Sequence, residues 1–219
     1  MCYAAKSAKI RGYDFTIPIK RDFIENKNFK DISNKLMKIS FSQQELFAKI
    51  KKGFVRIGSS CDPSDDWDHT LYIIEKIKPY IKNIVVITKH WKEFREDQLS
   101  KLNNICINTS VSALDSEKII ERRLFWYNKL KNYCKSILRV NTADFNNSKL
   151  KNIQNYLLNN KKVIDTILRL DKNHELVKNN IVNIKKYKYM GANIFASKHN
   201  ENIYFGYCDQ CPEQCGINL

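Results

Sequence analysis

Cysteines near the carboxyl terminus are the strongest candidates for chemistry in this chain. Cys208, Cys211 and Cys215 fall within eight residues, a spacing that lets backbone turns aim several sulfur atoms at one point. Thiolates at this density favour zinc or an iron–sulfur cluster, and three of them leave one coordination position for a fourth ligand. Cys2 or His199 could supply it. The alternative is a tail whose cysteines bind nothing.

The elements that must position reactive groups repeat one pattern, a β-branched apolar run followed by an amphipathic helix. Such runs occupy residues 54–57, 84–87, 105–107, 137–140 and 163–168. Strands this apolar, separated by helices, pair in parallel and present reactive groups at their carboxyl ends. The 219 residues fall a little short of the roughly 250 of a complete eight-unit barrel, and the glycine fingerprint of a dinucleotide fold is missing. The pattern predicts an α/β protein, a partial (β/α) barrel of about five to six parallel strand–helix units.

The end of the chain has a different character. Residues 185–190 and 193–197 are predicted as short strands around Gly191, in a terminal hairpin. We expect a barrel domain over residues 1–200 and a short cysteine-rich C-terminal extension over residues 201–219.

Charge and composition bound the partners. The chain has 38 basic and 23 acidic residues, for a net charge of +15, which would attract nucleic acid phosphates. Because the lysines are dispersed, a composition rich in Lys, Asn and Ile explains the charge as well. No apolar run reaches the roughly 18–20 residues of a membrane span, and the first residues lack the order of a secretion signal. We therefore expect a cytoplasmic protein without membrane contact, whose cysteines are not in disulfides.

Several short motifs, taken in order, carry a resemblance to a known family. They are Cys2-Tyr3-Ala4, Arg56-Ile57-Gly58-Ser59-Ser60-Cys61-Asp62-Pro63, residues 84–89, Asn108-Thr109-Ser110-Val111-Ser112 and Arg139-Val140-Asn141. Over roughly residues 2 to 170 the chain resembles the radical S-adenosylmethionine (radical SAM) family, and within it the spore photoproduct lyase-like members.

The resemblance implies a partial TIM barrel that holds a [4Fe-4S] cluster on a Cys-x3-Cys-x2-Cys loop. One iron of that cluster would chelate S-adenosylmethionine, and an electron donor would start 5'-deoxyadenosyl radical chemistry. Cys2 matches the third cysteine of the loop, whereas the first two and the strand before them are absent. We therefore expect either a chain that begins inside a longer gene or a repurposed relative, with Cys208, Cys211 and Cys215 as further candidate metal ligands.

The resemblance also assigns the cosubstrate site. Gly58, Ser59 and Ser60 take the place of a segment whose backbone meets the amino group of S-adenosylmethionine. Asn108, Ser110 and Ser112 would contact its ribose or methionyl part, and Arg122 or Arg123 would pair with its carboxylate. Arg139 and Asn141 would point into the mouth of the barrel. The substrate implied is a nucleic acid or nucleotide.

A second function remains open from the residues alone. Three terminal cysteines with a fourth ligand could hold structural zinc, and the basic surface could bind nucleic acid without catalysis.

Overall fold

In the computed structural model, the described residues are 54–58, 61–79, 81–189, 192–206 and 211–219. Cys2, Ser59, Ser60 and Cys208 lie outside them. The described strands are β1 (Val55–Ile57), β2 (Ile84–Thr88), β3 (Ile105–Ser112), β4 (Lys135–Thr142), β5 (Asp144–Phe145), β6 (Val163–Arg169), β7 (Val182–Asn183), β8 (Lys185–Tyr189) and β9 (Ala192–Ser197). The helices are α1 (Trp67–Ile77), α2 (Glu96–Leu99), α3 (Glu117–Leu130), α4 (Ser148–Leu158) and α5 (Glu175–Lys178), with single 3-10 turns at Pro63–Asp65, Ser100–Leu102 and Gln214–Gly216.

Seven strands form one sheet in the order β1-β2-β3-β4-β6-β9-β8. The first five run parallel and follow the order of the chain, and β9 and β8 add antiparallel. Strands β5 and β7 pair separately. The structure thus confirms a mixed α/β protein with a mostly parallel sheet, together with the terminal hairpin.

Helices α1 to α4 cover one face of this sheet, called the helix side below. Val86 and Ile107 are partners in neighbouring strands, so they share a face, and both pack in one cluster with residues of α1, α2 and α3. Farther along the sheet, Val140 lies in a second cluster with Leu157 of α4. These fully buried side chains form the main core, because each removes apolar area from water.

Side-chain caps set the starts of two of these helices. The carboxylate of Asp66 accepts a hydrogen bond from the backbone N–H of His69, which caps α1, and Asn147 accepts one from the N–H of Leu150 at the start of α4. Both bonds satisfy a backbone donor that has no partner inside the helix.

Strand β3 extends beyond its predicted end at Ile107 and runs through Asn108-Thr109-Ser110 to Ser112. These polar residues stay in extended backbone because β2 and β4 hydrogen-bond β3 on either side. The ladder overrides the weak strand preference of Asn and Ser.

The opposite face of the sheet is covered in part by the C-terminal segment, residues 211–219. Cys215 and Ile217 pack against Ile137 of β4 and its neighbours, and the Lys135 ammonium donates to the carbonyl of Ile217 at 2.7 Å. Gly216 has a φ of +90°, and a Cβ there would lie 2.7 Å from Ile137 Cγ1. Close packing therefore requires glycine. The domain boundary at residue 200 stays a prediction.

Within the described ranges, no helix has the length and apolar character needed to cross a membrane.

Candidate functional site

Strands β3, β4 and β6 carry polar residues on the face away from the helices. This polar patch consists of Asn108, Ser110, Ser112, Arg139, Asn141 and Thr166. The strand register aligns it: Ser110 lies opposite Arg139, and Asn141 lies between Ser112 and Thr166. Five of these six residues are sites predicted from the sequence, and the structure brings them together.

Hydrogen bonds orient the centre of the polar patch. Asn141 donates through Nδ2 to Ser110 Oγ at 3.2 Å, and Thr166 Oγ1 donates to Asn141 Oδ1 at 2.7 Å. One residue from each of three strands is thereby linked. Because Asn141 uses its amide oxygen and one amide hydrogen in these bonds, a second hydrogen is left for a ligand.

Asn108 forms the deepest part of the polar patch. Its side chain is fully buried, and Nδ2 donates to the carbonyl of Cys215 at 2.9 Å. Its amide oxygen is buried without a hydrogen-bond partner in the part of the chain that the structure describes. A buried acceptor left unsatisfied costs roughly 1–3 kcal/mol, and among the described residues Asn108 shares this feature with buried groups of His90 and Trp126 on the helix side.

Arg139 supplies positive charge at the same face. Burial and the nearby Asp165 raise the pKa of Glu213, on the C-terminal segment, and the charge of Arg139 opposes that rise. Glu213 and Thr166 were not predicted as site residues. Thr166 lies in the predicted strand over 163–168, and the alternation of that strand could have placed it on this face; Glu213 gives no comparable signal.

Arg122 and Arg123 lie on α3, and Arg123 makes its hydrogen bonds outside the polar patch. Its guanidinium is 1% exposed; it pairs with Asp115 through Nη1 and donates through Nε to the carbonyl of Lys89 at 3.0 Å. Burial lowers the pKa of Arg123, which Asp115 opposes. The arginine therefore ties α3 to the loops after β2 and β3, with an internal carboxylate as partner.

Gly58 ends β1 in a conformation that suits glycine. Its φ is +96°, and a Cβ would lie 2.3 Å from the carbonyl oxygen of Ile87. The backbone after β1 can therefore approach the end of β2 closely. The rest of this predicted motif, Ser59 and Ser60, lies outside the described residues.

The acidic loop after β1 has structural contacts. Asp62 accepts hydrogen bonds from Thr88 Oγ1 and from the backbone N–H of Lys89, both at 2.7 Å. Asp68 pairs with Arg95 at 2.9 Å, and their bond lowers the pKa of Asp68 to about 2. Asp62 therefore holds the loop against β2, and Asp68, in the first turn of α1, connects that helix to the segment before α2.

The described cysteines do not form a ligand set. Cys215 is buried in an apolar cluster with Cys106, and burial raises the pKa of Cys106 to about 11, which keeps that thiol protonated. Cys211 is half-buried. Among the residues described, no group of three or more His, Cys, Asp or Glu side chains could hold a metal ion. Cys2 and Cys208 lie outside that comparison.

Comparison with known proteins found no matching family model, no matching curated protein and no matching solved structure.

Proposed function

We propose that this chain is a radical SAM-like protein that binds S-adenosylmethionine at the polar patch, in a parallel sheet that curls into a partial barrel. The observation that carries the proposal is the assembly of Asn108, Ser110, Arg139 and Asn141 on one face. These residues were selected from the sequence by family resemblance, and they lie on two adjacent strands, with Ser110 and Asn141 near the carboxyl ends, where parallel sheets bind ligands.

The chemistry of the polar patch suits this ligand. S-adenosylmethionine carries ribose hydroxyls, an ammonium group and a carboxylate. The buried Asn108 oxygen is an unsatisfied acceptor, Asn141 retains an amide hydrogen as a donor, and Arg139 provides a positive charge for a carboxylate.

The order of the strands supports the curled sheet. Parallel strands that follow the chain order, with all connecting helices on one face, wind in a single direction. That winding is required of a (β/α) barrel or part of one.

The [4Fe-4S] cluster that the resemblance implies needs thiolate ligands. The described residues supply no ligand set for it, so the proposal rests on cosubstrate binding and assigns no chemical step to a cluster. Radical chemistry on a nucleic acid or nucleotide remains the activity that the resemblance implies.

Isothermal titration of the purified chain with S-adenosylmethionine tests the proposal. We expect saturable binding that weakens at least tenfold in Asn141→Ala and in Arg139→Met. Ser136→Ala, a buried change on the helix side of β4, is the matched control and should bind normally. Absence of binding in the wild-type chain, or equal affinity in all four proteins, would overturn the proposal.

The alternative function predicts another result with the same protein. A zinc-stabilised nucleic-acid-binding protein would contain stoichiometric zinc, bind a single-stranded oligonucleotide with strong salt dependence, and ignore S-adenosylmethionine. After anaerobic incubation with iron and sulfide, broad absorbance near 400 nm would instead support the cluster.

A further inference from the structure

A cleft, called the hairpin cleft below, lies between the β8–β9 hairpin and the β5–β7 pair. Its volume is about 200 Å³. The lining residues are Asp144, Asn183, Lys185, Tyr187, Ala196, Lys198, His199 and Glu201. A cavity of about 150 Å³ can hold one benzene ring, so this cleft accommodates a ligand the size of a single six-membered ring.

The charges around this hairpin cleft cancel. Lys185 pairs with Glu201 at 2.8 Å, and Lys198 donates to the backbone carbonyl of Glu201 at 3.3 Å. Asp144 accepts from the amide of Asn183 at 2.9 Å. With two ammonium groups and two carboxylates, the lining has no net preference for an ion, but it is dense in donors and acceptors.

Tyr187 adds an aromatic wall. Its ring meets Phe205 edge-on at 5.5 Å, and the Lys198 ammonium lies 5.3 Å from the ring centre. These contacts fix the position of the tyrosine ring beside the polar groups of the cleft.

His199 has a carboxylate behind it. Its Nδ1 lies 3.1 Å from Asp165 Oδ2, without the alignment of a hydrogen bond. Thr142 Oγ1 donates to the other oxygen of Asp165. A carboxylate facing Nδ1 favours the tautomer with the proton on that nitrogen. The second nitrogen, Nε2, is then an acceptor for a group in the cleft.

We propose that the hairpin cleft binds a neutral, hydroxyl-rich ring, of the kind found in a pentose or hexose. Each hydroxyl both donates and accepts, which matches a lining with equal numbers of ammonium and carboxylate groups. His199 Nε2 and the Asp144 and Glu201 carboxylates accept from ring hydroxyls. Tyr187 packs against the apolar C–H face of the ring.

The position of the cleft separates it from the polar patch. Asp165, behind His199, and Thr166, in the polar patch, are consecutive residues of β6, and consecutive strand residues project to opposite faces. The hairpin cleft and the polar patch therefore lie on opposite faces of β6, and this inference does not depend on the proposed function.

Saturation-transfer NMR with the full chain tests the inference, using D-ribose and D-glucose as probes at millimolar concentration. We expect saturation of the ring protons of at least one sugar, and at least tenfold weaker binding in Tyr187→Ala and in Glu201→Gln. Lys186→Ala changes the neighbouring strand residue, which points to the other face of β8, and should bind normally. Ser110→Ala, in the polar patch, should also bind normally.

Two charged probes, inorganic phosphate and glycine, test whether the cleft binds ions instead of sugars. If either binds and is lost in Glu201→Gln while the sugars do not bind, the cleft is an ion site and the inference fails. Absence of sugar binding, or equal loss in Lys186→Ala, would also overturn it. Binding of ribose alone would indicate a nucleoside as the source of the ring, and binding of glucose a free sugar.

Discussion

The two faces of strand β3 are both largely buried, yet they are chemically different. Ile105, Ile107 and Val111 face the helices and pack in apolar clusters, and Thr109 is the polar residue of that face. The alternate residues are Cys106, Asn108, Ser110 and Ser112, which share the other face with the C-terminal segment and the polar ends of β4 and β6. Burial alone therefore does not distinguish core from candidate site. The distinction lies in the side chains themselves, which are mostly apolar on the helix side and mostly polar on the other face.

Truncation on the helix side should give the largest effect. Ile107 of β3 is fully buried in one cluster with residues of α1 and α3. We expect Ile107→Ala to lower the free energy of unfolding by about 2–5 kcal/mol, because the substitution leaves a cavity in addition to the lost burial. Urea unfolding followed by circular dichroism measures it. A loss below about 1 kcal/mol would contradict the assignment of the main core to this side.

The contrast explains what the sequence could predict. Runs such as Ile84-Val85-Val86-Ile87 identify strands because β-branched apolar residues suit a sheet buried on both faces. The candidate site residues of β3 and β4 were chosen by family resemblance, and the structure places them on one face of the sheet. The bounds were less predictable: β3 continues to Ser112 because neighbouring strands, which the local sequence does not encode, complete its hydrogen bonds.

Contacts between distant segments could not be predicted from the sequence. Asp165 and His199 meet only because β9 returns beside β6, and the carbonyl of Cys215 meets Asn108 because the C-terminal segment folds onto the sheet. No periodicity links such positions. The partner of Arg123 was missed for a different reason: Asp115 is only eight residues away, but it lies in the loop before α3, outside the helical periodicity.

Acid should act on the helix side through His90. This residue is fully buried, contacts Thr109 Oγ1 through Nε2 at 3.0 Å and stacks on Trp126. Burial, with Arg123 and Arg122, lowers its pKa from 6.5 to about 3, against the opposing charge of Asp62. Protonation of His90 is therefore unfavourable in the folded state. The contribution of the neutral imidazole to stability is present above pH 6.5 and is lost as the pH falls towards 3.

We expect the free energy of unfolding to fall by about 1.4 kcal/mol for each pH unit across that window because of this histidine. His90→Asn removes the titration and keeps a residue that tolerates the positive φ of 52° at this position. Urea unfolding of both proteins between pH 7 and pH 4 should show a smaller loss in the variant. Parallel pH profiles would refute a buried neutral imidazole.

Gly216 tests how closely the C-terminal segment packs on the other face. Gly216→Ala would place a Cβ against Ile137, so we expect a loss of about 1–3 kcal/mol from overpacking, with the left-handed φ adding about 1 kcal/mol. Gly206→Ala is the matched control, because the atoms nearest its Cβ belong to the exposed side chain of Tyr204 and not to the buried core. Unfolding free energies that change equally in both would contradict this packing.

Paired serine substitutions should give the smallest change in stability and the sharpest contrast between the faces. Ser136 Oγ donates to the carbonyl of Tyr127 on the helix side at 2.7 Å, whereas Ser110 Oγ accepts from Asn141 in the polar patch. Each alanine variant loses one hydrogen bond, so each should lower the free energy of unfolding by about 0.5–1.5 kcal/mol. Only Ser110→Ala removes the hydrogen bond that orients Asn141 in the proposed S-adenosylmethionine site. Titration with S-adenosylmethionine should therefore show weaker binding in that variant alone. Since the two stability losses are matched, a difference in affinity cannot come from global destabilisation, and its absence would mean that the polar face is core whose polar groups serve only one another.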